Sequence, residues 1–151
     1  MVPLLLATFE PLDERAAIRT RTFVFASSPA FGIPPLDWTI NGKRFDPDHP
    51  IVEAHLGDVE IWHFINHNPK ALGVFSKMHP VHVHLVNFQI LSRNGGSPRP
   101  FEGGWKDTVA LEKGEDVRVI MKFESHHGRY LVHCHNLEHE DHGMMARFDV
   151  I

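Results

Sequence analysis

The stretch DVRVIMKFE, residues 116–124, alternates apolar and polar side chains, with Val117, Val119, Met121 and Phe123 on one side and Arg118, Lys122 and Glu124 on the other. A period of two is that of a strand with one face on a core and one in water, not of a helix. The same rhythm recurs outward from it, in short runs rich in Val, Ile, Phe and Thr separated by Gly, Pro and Asp. Strands are expected at 22–28, 38–42, 59–66, 82–93, 107–112, 116–124, 128–135 and 144–151. Turns are expected at NGK (41–43), RNGGSPRP (93–100), EGGW (102–105) and EKGED (112–116). Eight short strands with such punctuation predict an all-β Greek-key barrel or sandwich, in a single domain spanning 1–151, with 1–21 as a connecting arm.

The chain has 151 residues, long enough for one hydrophobic core without disulfides. Fifteen Lys and Arg stand against 19 Asp and Glu, so no basic excess points to nucleic acid or to an anionic membrane surface. The start, MVPLLLATFE, has too short an apolar run and no basic lead for a convincing signal peptide, and no stretch approaches the roughly 20 apolar residues of a membrane span. The compartment is therefore left open. The unusual count is 13 histidines beside a single cysteine. Imidazole is the commonest metal ligand, which makes metal binding the leading expectation.

Two segments carry that chemistry: MHPVHVHLV with His79, His82 and His84, and HCHNLEHEDHGMM with His133, Cys134, His135, His139, His142, Met144 and Met145. Along a strand alternate side chains share a face, so His82 and His84 point one way, His133 and His135 point one way, and Cys134 points to the opposite side. Two sites back to back are implied. On the cysteine side the following loop can return His139 and Met144, while His79 reaches in from a neighbouring strand. Two imidazoles, a thiolate and a weak thioether form the ligand set of blue copper electron-transfer centres. His126 and His127 read as exposed turn residues, and His142 as a residue beside the site.

The paired segments HPVHVH (79–84) and HCHNLEHEDHGM (133–144) resemble the copper signatures of the last cupredoxin domain of multicopper oxidases, the laccase, bilirubin oxidase and spore-coat oxidase family. WTINGKRFD, GDVEIWHFIN and GGWKDTV extend the resemblance over roughly 36–151. It implies a cupredoxin-like Greek-key β-barrel with copper as cofactor. His79, Cys134, His139 and Met144 resemble type 1 copper ligands. His82 resembles a type 2 ligand, and His84, His133 and His135 resemble type 3 ligands. Glu140, or Asp141 beside it, stands where the family places an acid that helps supply protons. Phenols, aromatic amines or metal ions would be the reductants, giving up electrons through the exposed edge of a type 1 histidine, and O2 the acceptor. The family completes its oxygen site with two further HxH pairs from another domain, and none occurs here. Oxidase activity would then need a complementary cupredoxin domain or a homo-oligomer whose histidine faces meet. The alternative is a stand-alone blue-copper electron-transfer protein. A cupin is disfavoured, since Phe88 and Gln89 occupy the neighbourhood where that pattern wants a glutamate.

Overall fold

A computed structural model describes residues 8–29, 36–66 and 77–151. The described strands are β1 (Arg19–Pro29), β2 (Leu36–Ile40), β3 (Val52–Ala54), β4 (Val59–Asn66), β5 (His79–Val83), β6 (Phe88–Arg93), β7 (Thr108–Leu111), β8 (Asp116–Lys122), β9 (Gly128–Cys134) and β10 (Met145–Val150), with one short helix, α1 (Leu137–Asp141). They form two five-stranded sheets in the orders β2-β1-β4-β8-β6 and β3-β10-β9-β5-β7. Both are mixed, because β1 runs parallel to β4 and β10 parallel to β3. The expected all-β sandwich is the architecture found.

Between the sheets lies one cluster of buried side chains, dense in aromatics. Trp62 packs edge-on to Phe148 with ring centroids 5.0 Å apart and tilted against Phe23 at 4.4 Å. Val117, Val119, Met121 and Phe123 all enter this core, as the alternation of 116–124 requires. Ile120 on the opposite side is also buried, with its cross-strand neighbours Ile61 and Gln89. That outer face is not wholly wet. The Gln89 amide donates to the Glu10 carbonyl and accepts from the Leu12 N–H, both within 2.9 Å, which fastens the arm to β6. A 3-10 turn at Glu14–Ala16, capped by Asp13, then leads into β1.

Three expectations need correction. The single strand at 82–93 is two strands in different sheets, parted by a turn in which Leu85 takes a left-handed φ of 58°. β3 was not expected, being three residues between Pro50 and Gly57. Nor was α1, a single turn capped by the Asn136 side chain, which accepts from the Glu138 N–H. The turn at 41–43 follows composition, with Asn41 and Gly42 both at positive φ as a tight hairpin needs. His67 and the first seven residues lie outside the described residues.

Candidate metal centre

β5 and β9 are adjacent and antiparallel, with Val81 opposite Cys134 and His82 opposite His133. This register sends Cys134 inward and His133 outward. Inside, the Cys134 Sγ lies 3.5 Å from His79 Nδ1 and 3.4 Å from His139 Nδ1, and the two Nδ1 atoms are 3.1 Å apart. His79 enters from the start of β5 and His139 from α1. Met144 is fully buried beside them, its N–H donating to the His139 carbonyl and its carbonyl accepting from the Cys134 N–H. The backbone thus ties Met144 to two members of the set.

A trigonal ion with metal–nitrogen bonds of about 2.0 Å and a metal–sulfur bond of about 2.3 Å separates its ligand atoms by roughly 3.5–3.8 Å. The observed triangle needs only a few tenths of an ångström of expansion. Burial pushes His79 down to about 3 and His139 to about 4, and raises the Cys134 thiol to about 11. Both imidazoles are therefore neutral and ready to ligate, while the thiol must give up its proton to a metal. The Nε2 atoms of His79 and His139 have no hydrogen-bond partner among the described residues. Three buried, mutually facing donors of this kind fit a soft-to-borderline cation such as copper. Both histidines are wholly buried, so neither offers the exposed edge expected for electron entry. Trp38 instead lies against His139.

On the other side of the same strands, the rings of His82, His84, His133 and His135 form a connected patch with centroid separations of 5.0–5.7 Å. His84 sits just past the end of β5, held by its N–H to the Leu131 carbonyl. His82 Nδ1 donates to the Asp107 carbonyl at 2.9 Å, with Thr108 Oγ1 at 3.0 Å. His133 Nδ1 donates to the Cys134 carbonyl at 3.1 Å. His84 and His133 are held below the ordinary histidine range, chiefly by burial. Glu140 places Oε2 3.6 Å from His133 Nδ1, whereas Asp141 is exposed. His142 caps α1 by donating from Nδ1 to the Glu138 carbonyl, and His126 and His127 are exposed. Sequence reasoning missed Trp38 and Thr108 as neighbours of the candidate ligands; nothing in WTING or DTVALE marked their side chains as lying against histidines.

The family model described as "Multicopper oxidase" matches residues 18–151. A laccase of Haloferax volcanii is 37% identical over 141 residues, covering 91% of this chain and 23% of that protein. A bilirubin oxidase of Albifimbria verrucaria is 40% identical over 118 residues, covering 74% of this chain and 20% of its own. The crystal structure of a multi-copper oxidase from Pediococcus acidilactici matches with a TM-score of 0.83 and 32% identity, over 100% of this chain and 30% of that one. The chain spans less than a third of the length of each of these relatives. Among the described residues, no helix is long and apolar enough to cross a membrane.

Proposed function

This chain belongs to the multicopper oxidase family, and from that membership we propose that it serves as the electron-accepting, copper-binding domain of a laccase-type oxidase. The observation that carries the reading is the register of β5 on β9, which backs a buried Cys-His-His set directly against an outward patch of four imidazoles. In this reading His79, Cys134, His139 and Met144 hold type 1 copper, His82 holds type 2, and His84, His133 and His135 hold type 3. Copper, when bound, supplies one-electron oxidation of reductants and reduction of O2.

The chain's own residues do the rest. Cys134 is joined through the main chain to His133 and His135, so a few covalent bonds link the two ligand groups. The Asp107 and Cys134 carbonyls hold His82 and His133 by Nδ1, leaving Nε2 of each to ligate. Glu140 is placed to hold a proton beside His133. Phenols, aromatic amines or metal ions are the reductant classes, and a complementary cupredoxin domain or a second copy supplies the missing histidines. A stand-alone electron-transfer role would need only the buried set and leaves the four outward imidazoles without a use.

The test is copper stoichiometry with absorption and electron paramagnetic resonance spectra on the reconstituted chain, alongside its oligomeric mass. An intense thiolate-to-copper band is expected, lost in Cys134→Ser; a copper-loaded chain without that band would overturn the reading. Oxygen uptake with a phenolic reductant is expected only in assemblies that complete the histidine site. Its absence in every oligomeric state of the chain alone assigns the missing ligands to a different domain.

A further inference from the structure

The buried donor set is sealed, yet the proposed function requires electrons to reach it. His79, Cys134, His139 and Met144 have no exposed surface, so no reductant can touch an edge of any of them. Among the described residues, two aromatic side chains other than the histidines themselves lie against the imidazoles. Phe25, 6.1 Å from His79, is itself wholly buried and leads only inward, to Phe64 at 6.0 Å. Trp38 differs on both counts. Its indole stacks on His139 with centroids 3.7 Å apart and planes 25° from parallel, stands edge-on to His79 at 6.0 Å, and keeps 8% of its surface exposed. It also stands on β2, the outermost strand of its sheet, at the rim of the sandwich rather than in its middle.

We propose that Trp38 is the electron-entry residue: a one-electron reductant docks over its exposed edge, and the electron crosses the stacked indole to the His139 imidazole. The inference rests on the blue-copper reading above. Electronic coupling falls off exponentially with the gap to be crossed, and two stacked rings in van der Waals contact leave neither empty space nor saturated carbon between them. The rival exit, from the imidazole along α1 to the exposed Leu137, has to pass the saturated Cβ and Cα of His139. Each transfer oxidises one reductant molecule by one electron and reduces one bound copper(II) to copper(I). No bond is made or broken, and the indole ends unchanged.

Stopped-flow reduction of the copper-loaded chain, read as bleaching of the thiolate-to-copper band, tests this. The reduction potential of each variant is measured separately, so that any change in driving force is removed from the rate. Ferrocyanide and hexaammineruthenium(II), an anion and a cation, serve as reductants. Trp38→Leu keeps an apolar cover without a ring and should slow reduction by both at least about tenfold, one decade in rate constant. Trp38→Phe puts a ring back and should recover most of the rate, whereas Leu137→Ala should leave it unchanged. If Trp38→Leu does not hold copper, Trp38→Met, whose flexible side chain fills irregular gaps without a ring, takes its place. The proposal is overturned if the potential-corrected rate is undiminished in the ringless variant, if only one of the two reductants is slowed, if Trp38→Phe is as slow as Trp38→Leu, or if Leu137→Ala slows reduction as much. A copper-loaded wild-type chain without the band would remove the blue-copper reading itself, and this inference with it.

Discussion

The indole of Trp38 lies over the imidazole of His139, with ring centroids 3.7 Å apart and planes within 25° of parallel. It also stands edge-on to His79 at 6.0 Å. One side chain thus covers both nitrogen donors of the buried set and keeps water from them. Trp38→Ala should cost about 3–5 kcal/mol of stability in thermal or denaturant unfolding of the metal-free chain. In the copper-loaded chain it should lower the reduction potential, since water beside the site favours the more highly charged Cu(II). An unchanged potential in a folded Trp38→Ala chain would count against Trp38 as the cover of this site.

Met144 is pinned by backbone hydrogen bonds to both His139 and Cys134. A thioether donor stabilises Cu(II). Met144→Leu should therefore raise the potential while costing under about 1.5 kcal/mol, because the swap nearly conserves volume. Voltammetry decides it: an unchanged or lower potential removes Met144 from the ligand set.

Acid should destabilise the metal-free chain through its buried histidines. His79 and His139 titrate near 3 and near 4 when folded, below the ordinary 6.5. Between those values the unfolded chain binds more protons than the folded one. Stability is then fully present above about pH 6.5 and falls as pH drops toward 4, by about 1.4 kcal/mol per pH unit for each histidine. Urea midpoints across that range should decline less steeply in His139→Gln than in the parent. Parallel slopes would show that His139 stays protonatable in the fold.

The wholly buried Glu60 carboxylate is held by Arg21 through Nε at 2.6 Å and Nη2 at 2.7 Å, and by the Trp62 Nε1–H at 2.9 Å. Arg21→Met removes the bidentate cation and leaves the buried carboxylate with only the half-exposed Arg19, its Nε 3.7 Å from Oε1, as counter-charge, at a cost of about 3 kcal/mol. Adding Glu60→Leu should restore much of that loss. A double variant as unstable as the single one would show that other partners hold Glu60.

The architecture and both candidate ligand groups are legible for local reasons. Alternation in 116–124 is a strand's own signature, and HxH and HCH on strands sort side chains to two faces without knowledge of any neighbour. The errors fall where local composition is silent. Nothing in Leu85-Val86-Asn87 contains the glycine or proline that usually announces a turn, so the break between β5 and β6 was invisible. The burial of Ile120, the grip of Gln89 on residues 10–12 and the stacking of Trp38 on His139 join segments 31 to 101 residues apart, a range that no windowed pattern reaches.

The pairing of Val81 with Cys134 has a consequence for how the chain comes to its final form. A slip of β9 by one residue against β5 would turn every side chain to the other face, carrying the only thiol to the surface and an imidazole into the apolar interior. A misassembled molecule thus advertises itself by a reagent-accessible sulfhydryl that can cross-link to its twin, whereas the correctly zipped one hides it. Alkylation during refolding would count the errors directly, one labelled cysteine for each molecule that took the wrong frame.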